Sequence, residues 1–398
     1  MHTEILIVGG GISGLHSAYQ LQKEGIAFRL IEARERLGGR ILSKNYAVLD
    51  SESSNQYAAD KPAYDLGPSW FWPGQTQMEK LINELGLNDS VFLQQGSGQA
   101  VYEDQQGTIQ KGFYGISMEG AYRLKGGIRQ IISTLKDHID DENISLNSQV
   151  THVEYLDNQI VTTVVDNANR KLSSEENNEE SSYQITSNKI VFALPTRIAM
   201  SAIEFTPPLS ESRVTELNSY STWMAGHAKF IAVYDSAFWL EQGLSGDAVS
   251  QLGPLREIHD ASTDANSSKD NKECDKKSKT GYALFGFVGV PGSYRKGKHE
   301  EICQAAIDQL TRLFGDKAAS PVDVVLQDWA QEAFTATDID QSMSAGHATS
   351  SMSDYAESNF GRRLIWSGTE SANHRLGHNG LLEGALEASN RTLELLLK

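Results

Sequence analysis

Between Ile5 and Glu32 the chain reads ILIVGGGISGLHSAYQLQKEGIAFRLIE: an apolar run, three spaced glycines, an amphipathic run, and a second apolar run closed by an acid. Each glycine has a mechanical role. Gly9 turns the chain off a strand at Ile5 to Val8, Gly11 lets backbone approach a pyrophosphate, and Gly14 lets the next helix pack on the sheet. The helix that follows, with Ile12, Leu15, Ala18 and Leu21 on one face, opens its N–H groups and positive dipole end toward anionic oxygens, and the Ser13 hydroxyl adds a donor. Phe28, Leu30 and Ile31 form the second strand. Glu32 at its end accepts from a ribose 2′-hydroxyl and repels a 2′-phosphate, so the pattern predicts a dinucleotide site for FAD or NAD rather than NADP.

A chain of 398 residues exceeds one simple core and predicts two domains or one elaborated one. Its formal charge of −17 argues against nucleic acid or an anionic membrane as a partner, because phosphate binding needs clustered Lys and Arg. Cys274 and Cys303 are the two cysteines, too few and too isolated for a disulfide framework or a structural zinc site, and no metal is expected. Cys274 sits in a polar run and is expected at the surface, Cys303 at an apolar helical position. No leader and no apolar run of membrane-spanning length is evident, and the expectation is a cytoplasmic protein without a membrane anchor. Oligomeric state has no signature.

Two stretches, 166–182 and 259–280, hold almost no apolar residues and read as polar surface loops at the tips of elongated hairpins. Helical periodicity marks Thr76 to Leu85, Gly127 to His138, His299 to Leu313 and Leu381 to Leu397, while Lys229 to Tyr234, Val322 to Gln327 and Leu364 to Trp366 are strand-like. Both ends of the chain are expected to build one sheet and the middle a second domain. The boundaries drawn are 1–70, 121–200 and 333–398 for the nucleotide domain, and 71–120 with 201–332 for the other.

Directly after Glu32 comes ARERLGGR, where two glycines allow a tight path and Arg34 and Arg40 carry fork-shaped donors. With the motif before it, EAR followed by GGR resembles the flavin-containing amine oxidases. The resemblance continues through Asp65 to Trp70 (DLGPSW), Lys125 to Ile128 (KGGI), Gly226 to Tyr234 (GHAKFIAVY) with Phe238-Trp239, and Ser367 to Ala385. It implies an α/β fold of the amine oxidase and glutathione-reductase type, a Rossmann-like FAD-binding domain beside a second, mixed-sheet substrate domain. Carried over residue by residue, it implies FAD contacts at Gly9, Gly11, Ser13, Gly14, Glu32, Arg34, Gly39 and Arg40. Further contacts fall at Gly67, Pro68, Ser69, Val150 and Ala193, and at Gly368, Thr369, Glu370, Leu381, Leu382 and Ala385 in the C-terminal signature. Lys229 matches the lysine that holds a water at flavin N5, and alternation puts His227, Lys229, Ile231 and Val233 on one strand face. Trp70 and Trp329 match aromatics beside the flavin, and together with Lys229 form the catalytic set.

Three departures stand out. Leu381 occupies the family's usual cage tyrosine, whose partner position reads Ile339, so the aromatic cage is absent or rebuilt from Trp70, Trp72 or His378. No cysteine lies beyond Trp329, so FAD is expected to be noncovalent by that route. The interval from Trp70 to Lys125 is short for the helical substrate insertion of monoamine and polyamine oxidases, which implies a more open site.

The leading function is amine oxidation, with hydride passing from a small-molecule amine to flavin N5 and O2 as electron acceptor, giving imine or aldehyde and hydrogen peroxide. A second reading keeps the fold with a renalase-like or desaturase-like activity on a non-amine substrate such as a reduced nicotinamide. A third is a flavin-binding partner or scaffold without catalysis.

Overall fold

The computed structural model describes residues 1–45, 63–94, 96, 98–113, 118–167, 181–263, 281–341, 352 and 360–397. The middle parts of both polar loops, 168–180 and 264–280 with Cys274, lie outside these residues.

An eight-stranded sheet carries the glycine motif. His2–Val8 lies between Phe28–Ile31 and Ser182–Phe192, both parallel to it, and Leu364–Trp366 pairs parallel with the end of Ser182–Phe192. The first and last strands of the chain therefore share a neighbour, as the two-ended reading expected. Alternation sorts their side chains. Ile5, Ile7 and Leu30 pack under the helices Ile12–Lys23, Arg129–Asp137 and Leu382–Leu396, while Leu6, Val8 and Ile31 face a second core with Ala199, Leu217 and Trp366. Both faces being covered explains why these strands read as continuous apolar runs. Gln159–Asp166 and Ser182–Phe192 pair antiparallel from Val165 and Ser182 outward, the hairpin the first polar loop predicted.

A seven-stranded sheet forms the second layer, in the order Asp323–Asp328, Ala228–Tyr234, Tyr282–Val288, Leu255–Asp260, Leu244–Ser250, Gln99–Glu103, Ile109–Phe113. Its outer face packs on the helix His299–Phe314, through Ala306, Leu310 and Leu313 against Phe230, Leu284 and Ile258. Each of these leucines is fully or almost fully buried, so truncation to alanine costs about 2–5 kcal/mol. The inner face presents Ile231, Val233, Ala283 and Phe285 to Tyr64 and Leu66. The strand before the second polar loop runs further than composition suggested: His259 and Asp260 belong to Leu255–Asp260, and His259 is fully buried.

Two long-range polar links brace the nucleotide half. Glu383 accepts hydrogen bonds from the backbone N–H groups of Gln77 (2.9 Å) and Met78 (2.8 Å), so a carboxylate of the C-terminal helix closes the N-terminus of Thr76–Glu84. His16 Nδ1 lies 2.9 Å from Ser389 Oγ, which also bonds Ser17 at 2.7 Å. Burial drives His16 down to about 4, so it stays neutral between the first and last helices. Among the described residues no helix is long and apolar enough to cross a membrane.

Candidate active site

A cavity of about 690 Å³ runs from the glycine turn of the first sheet to the inner face of the second. Stretches far apart in the chain build it.

The first is the glycine turn. A Cβ on Gly9 would sit 2.5 Å from the Ala193 carbonyl oxygen, and one on Gly14 would collide with the Gly9 carbonyl oxygen. Gly14 does not line the cavity; it fixes the helix against the strand, its expected role. Gly11 differs, because a Cβ there would meet nothing within 4 Å, leaving open space above the start of the helix Ile12–Lys23. ARERLGGR folds back onto this turn through a bridge between Gly11 and Gly38, which brings Gly39 and Arg40 to the wall.

Glu32 is 4 % exposed, with one oxygen accepting from Gly10 N–H (2.7 Å) and the other from Arg34 N–H (2.9 Å). Ser148, Gln149 and Val150 line the same cavity. Arg34 departs from expectation. Its fork binds Glu332 (3.1 Å) and Thr335 (2.8 Å) and stacks over Phe334, so it contributes charge and a wall more than free donors. Arg40 bonds Glu370 (3.1 Å) and the Trp223 carbonyl (3.2 Å). The Ser13 hydroxyl, expected to donate to phosphate, instead donates to the Ser367 carbonyl oxygen and ties the first helix to the last strand.

The C-terminal signature closes the cavity from the other side. Gly368, Thr369, Glu370, Leu381, Leu382 and Ala385 all line it, with the N-terminus of Leu382–Leu396 open toward it. Thr369 Oγ1 donates to the Leu381 carbonyl and accepts from Gly380 N–H, which shapes the turn before that helix. Glu370 Oε2 is buried without a hydrogen-bond partner among the described residues. An orphan acceptor beside two helix N-termini and an acid at a strand end suits a long ligand with hydroxyls, a pyrophosphate and a ribose, so these residues fit FAD.

At the far end stands Lys229. Its Nζ donates to Ser69 Oγ (2.6 Å) and the Gly67 carbonyl (3.2 Å) and sits 4.0 Å from the centroid of the Phe285 ring, with Trp70 and Phe287 at 5.9 Å. Burial lowers its pKa to about 7, against the pull of the Asp65 carboxylate and with the help of the Arg123 charge. Trp70 meets His259 edge-on (5.3 Å between centroids), lies tilted against Phe285, and donates a hydrogen bond to Gln94 (3.1 Å). Trp329 donates its indole N–H to the Leu66 carbonyl (3.0 Å). Pro68, Ser69 and Ala193 line the same cavity.

The rebuilt-cage expectation is partly corrected. Trp70 and Trp72 reach the cavity, but His378 is not among its lining residues, and its Nδ1 pairs with Glu387 at 2.7 Å. Ile339 is 62 % exposed and is no wall. Sequence reasoning missed Trp223, Met224, Glu257 and Phe287, all on the cavity, where His227 also lies, on the face that alternation shares with Lys229. Trp223 and Met224 directly precede the lysine-strand motif, and Met224 takes a left-handed φ of 59°, which sequence does not announce. Glu257 and Phe287 carry no local signal, since only strand register brings Phe287 beside Lys229 and Glu257 beside Phe287.

A family model described as flavin containing amine oxidoreductase matches residues 100–392, and one for an NAD(P)-binding Rossmann-like domain matches residues 7–85. A probable flavin-containing monoamine oxidase A of Dictyostelium discoideum is 22% identical over 98% of this chain and 96% of its own length. Putrescine oxidase of Kocuria rosea is 31% identical over 26% of this chain and 19% of its own length. Among solved structures, wild-type putrescine oxidase bound to putrescine superposes with a TM-score of 0.71 at 18% identity, covering 100% of both chains. Cyclohexylamine oxidase from Brevibacterium oxydans gives 0.68 at 17% identity, covering 99% of this chain and 98% of its own.

Proposed function

The chain belongs to the family of flavin containing amine oxidoreductases, and from that premise we propose that it is an FAD-dependent oxidase of a small-molecule amine, with O2 as electron acceptor. Held by the glycine turn, Glu32 and the C-terminal signature, FAD would supply a two-electron acceptor for the amine α-carbon hydride, with O2 taking the electron pair and two protons to give hydrogen peroxide and water hydrolysing the imine. The carrying observation is Lys229, a buried ammonium with a pKa lowered to about 7 and boxed by Trp70, Phe285 and Phe287 at one end of the cofactor cavity.

The residues divide the work. Glu32 takes the ribose hydroxyls, while the helix starts at Ile12 and Leu382 take anionic and carbonyl oxygens. Ser69 and the Gly67 carbonyl orient Lys229, so that its remaining hydrogen-bonding capacity can hold a water at the reacting face. Trp70, Trp329 and Phe287 exclude bulk water, and an apolar wall of this kind disfavours the protonated form of the substrate amine, which must be neutral to give up hydride. The absence of a cysteine beyond Trp329 supports noncovalent attachment by that route.

Anaerobic mixing of the purified holoenzyme with amines and with NADH tests the reading. Bleaching of the flavin absorption by an amine supports it. Bleaching by NADH alone would move the activity to a reduced nicotinamide, the reading favoured by Leu381 and the outward-facing Ile339. No bleaching by any donor would point to a binding protein without catalysis.

A further inference from the structure

At the Lys229 end of the cavity the donors are engaged by protein: Lys229 with Ser69 and Gly67, Trp329 with Leu66, Trp70 with Gln94, and Arg256 with Gln251. His227 is different. It directly precedes Ala228–Tyr234 on the face of Lys229, its carbonyl accepts from the Trp329 N–H (3.0 Å), and its side chain lines the cavity. Nδ1 is sealed from solvent without a hydrogen-bond partner among the described residues, so the ring turns its opposite edge, with Nε2, to the cavity. We propose, resting on the site reading above, that the Nε2–H of His227 donates a hydrogen bond to the C4 carbonyl of the bound flavin and raises its electron affinity.

The tautomer follows from the surroundings. A proton on the sealed nitrogen would forfeit its hydrogen bond outright, whereas on Nε2 it reaches whatever fills the cavity. A second proton is opposed by burial first and then by the Arg295 guanidinium, which together hold the imidazole below its ordinary value. That guanidinium is itself wholly buried, tied to Asp328 (2.6 Å) and to the carbonyl of Gly226, the residue before His227 (2.9 Å). The ring is therefore an uncharged donor. Its place in the cavity is fixed from both sides. Lys229, assigned above to the reacting face, stands two residues along the strand; on the other side the ring lies 6.3 Å from that of Trp223. Trp223 is braced in turn by the cofactor site, since its carbonyl accepts from Arg40 (3.2 Å) and its side chain packs on Gly380, in the turn before the helix Leu382–Leu396. Of the two carbonyls on the flavin ring, C4 is the one adjacent to the hydride-accepting N5. The donor beside Lys229 thus meets C4, and the helix start further along keeps C2. Reduction puts negative charge on this edge, so a fixed donor stabilises the reduced ring more than the oxidised one.

The test reads the flavin without any substrate, in wild type, His227→Leu and His227→Gln reconstituted with FAD carrying 13C at C2 and C4. In His227→Leu the C4 resonance should move upfield, as for a carbonyl that has lost a donor, while C2 stays. The two-electron midpoint potential should fall by about 30 mV, a tenfold shift toward oxidised flavin. His227→Gln keeps an N–H donor and should restore most of both. His227→Met repeats the comparison where the leucine variant fails to load flavin. Equal C4 resonances and potentials in wild type and the apolar variants overturn the hydrogen bond. So does a weakened affinity for amines with both flavin readouts unchanged, which would make the imidazole a substrate contact. Neither readout involves an amine, so these outcomes leave amine oxidation standing; reduction of wild-type flavin by NADH and by no amine would overturn that reading and leave the hydrogen bond in place.

Discussion

The nucleotide end and the substrate end of the cavity are built by opposite strategies. At the nucleotide end the contacting groups are mostly backbone, exposed by glycines and helix starts in short contiguous motifs, and the side chains there are already partnered: Glu32 with Gly10, Arg40 with Glu370, Arg34 with Glu332. At the substrate end the groups are side chains from strands far apart in sequence, set in a row by register. The first arrangement is a mould for one invariant ligand, the second a surface whose specificity can change by single substitutions without disturbing the fold.

The largest expected effect separates cofactor capture from folding. Gly11 has an extended backbone (φ −73°, ψ 178°) and open space where a Cβ would go. Gly11→Val should therefore fold with an unchanged melting temperature in the flavin-free state while binding flavin at least about tenfold more weakly. Full flavin occupancy in that variant would break the contrast. Lys229→Met is the counterpart at the other end: flavin content retained, and a fall of about a hundredfold or more in either the reductive or the oxidative half-reaction. Because its pKa is lowered to about 7 in the fold, the unfolded chain holds one more proton between about pH 7 and the ordinary lysine value of 10.5. Stability of the flavin-free protein should rise with pH across that window, and Lys229→Met should remove the rise.

Smaller effects fall on the braces of the nucleotide half. Glu383→Ala strips two charge-assisted bonds from the start of Thr76–Glu84 and should cost about 2 kcal/mol, read from the denaturant midpoint. His16, lowered to about 4 by burial, is neutral in the fold where the unfolded chain is protonated, so stability should fall as pH drops from 6.5 toward 4. His16→Gln should flatten that slope, which is about 1.4 kcal/mol per pH unit at most.

The same contrast explains how much of the molecule is legible in its sequence. Gly9, Gly14, Glu32 and the C-terminal signature announce themselves because glycine spacing and a strand-end acid are local requirements, and the strand and helix around Lys229 and Leu382 follow from periodicity. Glu257 and Phe287 stay hidden because nothing local distinguishes a cavity-facing strand residue from any other. His259 reads as part of a polar loop because a buried imidazole paired to Asp247 has the same sequence neighbours as an exposed one. Ser13 and Arg34 lie where expected, but their hydrogen bonds go to protein partners at positions 367 and 332, contacts no short motif records.

The bond from Ser13 to Ser367 spans almost the whole chain. During synthesis, the glycine turn emerges well before the C-terminal signature that completes its walls, so the cradle cannot close until residues 367–385 have been made. Flavin acquisition then has to wait for that segment: a nascent chain stalled before Leu381 should not retain the cofactor, and one extended past Leu396 should.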